Sequence, residues 1–366
     1  MAVDELTVFA AVVGARFLLP LLIPKYPLPA VVSCLILDGI DQTIFQTLGY
    51  DPPGYQGYDK AMDMYYLAIA YLSTLRNWTN DSAVGVARFL YFYRLVGVVA
   101  FELTDWRPLL LIFPNTFEYF FIAYEIVRLG WNPRRFGLRF WVWTAAAIWV
   151  FVKLPQEYWI HIAQRDFTDT LEQLPWLGPT LIVLILAAAA VFWFVVWPRL
   201  PERDHSWHIA ADPLPAGIDT AAGRSRWIAA HGRVLSIATV EKVVLVGFLS
   251  IIYGQVLPDR RSTELQLFLG IAAFVVVNAA ISLWMARRGR SLDSALLAFG
   301  ARVLVNVGLV LLSAWLLGRG NGELNLGNGL FFIVLLSLIT LLDDRFRPVH
   351  DVRRASVEEP VITARA

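Results

Sequence analysis

Along the chain, apolar residues gather into blocks separated by short stretches rich in Pro, Gly and charge. The blocks run 8 to 23, 29 to 48, 61 to 77, 84 to 103, 108 to 127, 138 to 160, 177 to 197, 234 to 257, 266 to 286, 293 to 317 and 326 to 342. Each is close to the length a helix needs to cross a hydrocarbon core of about 30 Å. Lipid offers the peptide groups no water, so such a segment must close its hydrogen bonds within itself, as a helix does. The pattern predicts an all-α protein, a polytopic transmembrane helical bundle of about eleven spans with no soluble domain. The second and third blocks fall short of pure hydrocarbon character, and a re-entrant path is open to either.

Polarity divides the chain further. Residues 1–165 hold six spans with many ionisable groups and form the expected functional half; 166–198 hold the seventh span and the loop before it. Residues 199–233 form the longest connection, a cytoplasmic loop whose last part, Gly223 to Arg233, is either plain connecting chain or a short basic amphipathic helix lying on the inner membrane surface. Residues 234–342 contain four apolar spans, and 343–366 read as a charged, mobile tail.

Composition supports this picture. Hydrophobic residues make up 57% of the chain and charged ones 17%, with a mean hydropathy of +0.56; soluble domains carry about a quarter charged residues. A soluble, disordered or nucleic-acid-binding protein is excluded. A net charge of +1 leaves any electrostatic role to local groups. Cys34 is the single cysteine, which excludes an intramolecular disulfide and a cysteine-rich metal site. The skew of basic residues toward Arg, with Ala, Gly and Val abundant, suggests a GC-rich bacterial genome and hence a plasma membrane. The first residues lack a basic n-region, so no cleaved signal peptide is expected.

Basic residues concentrate in cytoplasmic loops. Here they follow the fifth block (Arg128, Arg134, Arg135, Arg139), the seventh (Arg199, Arg203, Arg224, Arg226, Arg233), the ninth (Arg287, Arg288, Arg290) and the last (Arg345, Arg347, Arg353, Arg354). Strict alternation then places the amino terminus outside and the carboxyl terminus in the cytoplasm.

An ionisable group in mid-span costs about 2.5–3.5 kcal/mol on insertion scales, so it faces the bundle interior, a partner or a functional site. Arg16, Asp38, Asp41, Arg94, Glu118, Lys153 and Glu157 all fall within the first six blocks. The later blocks hold mainly Glu241, Lys242, Asn278, Arg302 and Asn306, and otherwise read as lipid-adapted.

Spacing defines three clusters. Asp38, Asp41 and Gln42 share one helix face and suit proton or cation exchange, or pairing with Arg16 or Arg94. Asp59 and Asp63 follow a Pro-, Gly- and Tyr-rich turn; with Asp38 and Asp41 they present a candidate multi-carboxylate metal site, for Mg²⁺ under an enzyme reading. Lys153, Glu157 and His161 form a titratable stripe interrupted by Pro155, suited to a proton relay or an anionic headgroup unless Lys153 and Glu157 neutralise each other. Asn115 and Glu118 lie one helical turn apart beside a kink expected at Pro114. The acid and base candidates are thus Asp38, Asp41, Glu118, Glu157 and His161; the substrate-binding candidates are Arg16, Arg94, Asn115 and Lys153; the metal candidates are Asp59 and Asp63.

Aromatic residues from Phe89 to Trp159 suit a groove for an acyl or isoprenoid chain, or interfacial belts and core packing. His205 and His208, beside Asp204 and Asp212, lack a third metal ligand at convincing spacing. No serine-hydrolase elbow or His-Glu-x-x-His motif occurs. The expected function is a transporter or flippase of an anionic or amphipathic substrate. The alternatives are a membrane-embedded transferase-like enzyme acting on a lipid-linked substrate at the outer face, and a non-catalytic scaffold or complex subunit. The expected partners are the lipid bilayer and a lipid or amphipathic small molecule, with no nucleic acid.

Overall fold

The computed structural model describes residues 5–47, 55–163, 170, 174–200, 202–205, 207–256, 263–290, 295–316 and 326–363. Among these there are helices and no strands. They run α1 (Glu5–Leu18), α2 (Pro27–Thr47), α3 (Tyr55–Asn77), α4 (Asp81–Thr104), α5 (Pro108–Ile112), α6 (Thr116–Gly130), α7 (Leu138–Ile162), α8 (Leu177–Val191), α9 (Ala221–His231), α10 (Ile237–Val256), α11 (Glu264–Arg287), α12 (Ala295–Leu316) and α13 (Leu326–Thr363).

Among the described residues, five stretches are long and apolar enough to cross a membrane: α4, the α5–α6 stretch Pro108–Gly130, α7, α10 and α11. Helices occupy the other expected blocks as well, namely α1, α2, α3, α8, α12 and α13. α3 is too polar to stand among the five, and its position explains why. From Ala61 to Leu75 its side chains are buried all round, apart from Asp63, and it is bordered by α1, α2, α4, α6, α10 and α13. A helix surrounded by protein does not need an apolar face for lipid. In lipid, helix association rests on close packing and interhelical hydrogen bonds rather than on burial from water. α3 supplies both, with Tyr71 stacked on Tyr91 at 4.8 Å and Ser73 reaching the Ile23 carbonyl.

Local chemistry sets the helix ends near the polar clusters. Asn80 caps α4 by accepting from the Ala83 backbone N–H at 2.9 Å, and its amide donates to the Pro133 and Phe136 carbonyls. The kink expected at Pro114 is a full break between α5 and α6. Gly97 lets α4 approach that break, since a Cβ there would lie 2.1 Å from the Phe113 Cβ. In α7, π-helical stretches Trp149–Lys153 and Tyr158–Ile162 flank Pro155. Of the aromatic run, Tyr91, Phe117, Phe120, Phe121, Tyr124 and Trp141 are buried in the core, whereas Phe89 and Trp143 are exposed. These buried rings fill space instead of lining a groove.

The stretch expected as a mobile tail differs. α13 continues without interruption from Leu326 to Thr363, and Asp343, Val349, His350 and Arg353 are buried against the rest of the bundle. Charge alone read as solvent exposure there, but Asp343 and Arg347, one turn apart, pair at 2.7 Å and continue the helix inside the protein. In the long connection, Ala221–His231 is helical (α9), capped by Thr220 and packed on α11 rather than plain connecting chain.

Candidate functional site

Arg16, near the carboxyl end of α1, meets four carboxylates from two other helices. Its Nη1 donates to Asp59 Oδ1 at 2.8 Å and to Asp41; its Nη2 donates to Asp63 Oδ1 at 2.7 Å and to Asp38. Asp38 and Asp41 share a face of α2, and Asp59 and Asp63 share a face of α3, as their spacing required. Arg16 and Asp41 are buried, whereas Asp38, Asp59 and Asp63 keep partial exposure. Four acids against one guanidinium leave a formal excess of three negative charges when all are ionised. Carboxylates that close must share protons or hold a cation. One oxygen from each of Asp38, Asp59 and Asp63 lies within 4.8 Å of the others, and such a hard-oxygen set suits Mg²⁺. The two aspartate pairs that the sequence reading combined into one multi-carboxylate cluster meet around Arg16. Arg16, a candidate for substrate binding, has both terminal nitrogens engaged, so an anion reaching it must displace a carboxylate.

A second cluster joins α4, α6 and α7. Lys153 Nζ stands 3.6 Å from Glu118 and 4.2 Å from the centroid of the Tyr119 ring. The Asn115 amide donates to Glu118 Oε2 at 3.0 Å. Glu157 accepts from the Asn115 backbone N–H at 3.0 Å, lies 3.0 Å from His161 Nε2 and stands 3.9 Å from Arg94. Lys153 and Glu157 make no ion pair with each other; each has its nearer partner elsewhere. The break at Pro114 frees carbonyls, and Arg94 Nη1 donates to that of Phe113 at 2.9 Å. Arg94 Nε, Asn115 Oδ1 and Thr116 Oγ1 are buried and lack a hydrogen-bond partner among the described residues. A buried polar atom without a partner is costly, so these atoms are the open contacts of the cluster.

Tyr66 connects the two clusters by donating its hydroxyl to Glu118. It also lines, with Arg16 and Cys34, a cavity of about 10 Å³, which is about the space of one water. All the acid, base and substrate candidates thus fall into two clusters separated by one tyrosine.

Two further arrangements escaped the sequence reading. At the other end of α3, Tyr71 donates to Glu241, which Arg347 meets at 3.0 Å and Arg88 at 3.6 Å. Lys242 stands 2.8 Å from Asp343 and pairs with Asp344, and Asp344 accepts from Arg302 at 2.6 Å. The later helices are therefore cross-linked by charge and are not merely lipid-adapted. Asn278, Asn306 and Ser337 add a buried hydrogen-bond ladder through α11, α12 and α13. The Asp343 to Arg347 spacing was the available signal.

In the 199–233 connection, Asp212 lies 2.7 Å from His208, and one donor atom from each of His205, His208 and Asp212 lies within 4.8 Å of the others. Arg128, held by Glu125 at 2.7 Å, already brings a cation 3.5 Å from Asp212. No family model, curated protein or solved structure matches this chain.

Proposed function

We propose that this protein is a bacterial plasma-membrane transporter or flippase of an anionic or amphipathic substrate, driven by protons or a cation. In this reading the eleven apolar stretches all cross, with the amino terminus outside and the carboxyl terminus in the cytoplasm. The observation that carries it is the imbalance around Arg16: a purely structural ion pair needs one carboxylate, and this site has four. Asp38, Asp41, Asp59 and Asp63 exchange the coupling ion, and Tyr66 relays the change to Glu118. Arg94, Lys153 and Asn115 meet the anionic part of the substrate, with His161 and Glu157 as an accessory proton site. The test is flux of a fluorescent anionic phospholipid in proteoliposomes under imposed pH or sodium gradients. Flux should follow a gradient and be lost on combining Asp38→Asn with Glu118→Gln; gradient-independent flux that survives both changes overturns the reading. Reporter fusions at the carboxyl terminus check the orientation.

The enzyme reading is favoured by the spacing of Asp38, Asp59 and Asp63, which suits Mg²⁺. It requires a Mg²⁺-dependent mass change in the lipid extract that Asp59→Asn abolishes. The scaffold reading is favoured by the tight pairing around a cavity of only about 10 Å³, and it requires a stoichiometric protein partner on purification.

A further inference from the structure

A cavity of about 180 Å³ opens where α9 crosses α11, α12 and the middle of α13. Four arginines line it: Arg224 on α9, Arg290 just after α11, Arg302 on α12 and Arg345 on α13. Among the described residues, Asp344 is the single carboxylate in the lining, and it is already shared between Arg302 and Lys242. Arg224 donates to the backbone carbonyls of Ile218 and Asp219, which hold the side chain in place, while the Asp219 carboxylate offsets part of its charge. Arg302 uses Nη2 on Asp344 and Ser282, while its Nη1 is buried with no hydrogen-bond partner among the described residues. Arg345 makes no hydrogen bond or ion pair among the described residues, and the like charges of Arg224 and Arg302 act on it. Gathering like charges in a partly desolvated cleft is unfavourable unless an anion completes it.

The remaining walls indicate what kind of anion. Ile281 and Met285 of α11 and Val305 of α12 give the same cavity apolar walls beside its arginines. α11 is itself long and apolar enough to cross a membrane. A free phosphate would use only the cationic end, whereas a phospholipid uses both. We propose that this cavity binds the phosphate of an anionic phospholipid headgroup, with Arg224, Arg302 and Arg345 donating to its oxygens and the α11–α12 cleft holding the start of an acyl chain. Guanidinium groups suit phosphate oxygens because they donate in a fixed fork. The cavity uses no residue of the Arg16 or Glu118 clusters, so the site stands or falls independently of the transport reading.

The test is native mass spectrometry of the full chain, released from detergent and titrated with phosphatidylglycerol, phosphatidylcholine or inorganic phosphate. Wild type should retain one phosphatidylglycerol in preference to phosphatidylcholine. Arg345→Gln should weaken that binding about fivefold, as expected for one basic charge near a headgroup. Arg345 has no partner to abandon, so the variant should keep the wild-type elution profile; Arg290→Gln, at an exposed position, repeats the test if it does not. Arg139→Gln, exposed and outside the cavity, should bind as wild type does. Equal retention by wild type and by both cavity variants overturns the proposal, as does an equal loss in Arg139→Gln. Retention of inorganic phosphate alone, with the same dependence on Arg345, overturns the lipid as occupant.

Discussion

The Tyr66 hydroxyl donates a hydrogen bond to the Glu118 carboxylate, and through that contact the helix carrying Asp59 and Asp63 reaches the helix that faces Lys153. Glu118 is buried, so removing the donor leaves its carboxylate short of a hydrogen bond. A hydrogen bond to a charged group contributes about 1.5–3 kcal/mol. Tyr66→Phe should lower stability in detergent by about that amount. In a double-mutant cycle with Glu118→Gln the two losses should be clearly less than additive, because both variants disrupt one contact. Thermal unfolding of the four proteins measures this, and simple additivity would show that Tyr66 acts through packing alone.

Around Arg16 the two signs of charge have unequal consequences. Arg16→Gln leaves four carboxylates facing one another and should cost roughly 3 kcal/mol, the range for breaking a buried pair. Asp63→Asn removes one repulsive charge while keeping a polar group of the same shape beside Arg16, and it should leave stability unchanged or raise it by about 1 kcal/mol. Unfolding midpoints of the two variants, compared at one pH, test the asymmetry. Equal destabilisation would mean that the acids are individually required for the fold.

Much of the helical layout was legible because it is local. The apolar block 84 to 103 became Asp81–Thr104, and the block 266 to 286 became Glu264–Arg287. Turn spacing likewise placed Asp38 with Asp41, Asp59 with Asp63 and Glu157 with His161 on shared faces. Partners across helices were legible only as alternatives, such as Arg16 or Arg94 for Asp38 and Asp41, because they depend on which helices pack together. Lys153 sits four residues from Glu157 yet pairs with Glu118, and Arg16 takes acids from two different helices. Asp343 and Asp344 stand where lipid-like sequence ends, so their polarity suggested water, whereas Lys242 and Arg302 meet them within the bundle.

That network gives a stability prediction for the later helices. Lys242 is buried and faces both Asp343 and Asp344. Lys242→Met removes the cation and keeps the side-chain volume, leaving two acids with Arg302 and Arg347 alone. Breaking a buried pair from one side costs about 3–5 kcal/mol, and the remaining arginines should hold this loss near the lower end. Restoring balance with Asp343→Asn in the same chain should recover part of it. Expression level and unfolding midpoint report the effect, and a Lys242→Met protein as stable as wild type would show the network to be dispensable.

His350 on the distal part of α13 should make stability depend on pH. Burial pushes its imidazole from 6.5 down to about 4; Asp81, 3.6 Å away, opposes the shift, and Arg88, Arg347 and Arg354 reinforce it. The folded protein thus binds fewer protons at this site than the unfolded chain does between those two values. Stability is therefore complete above about pH 6.5, declines as pH falls toward about 4, and levels off below that. The full effect is on the order of 1–3 kcal/mol, since each pH unit of separation is worth about 1.4 kcal/mol and local opening relieves part of it. Other acids titrate over the same range, so the difference between wild type and His350→Gln is the quantity to follow. That difference should shift in favour of the variant as the solution is acidified through the window. A difference that does not change with pH would mean that His350 takes up its proton without cost, on a surface open to water.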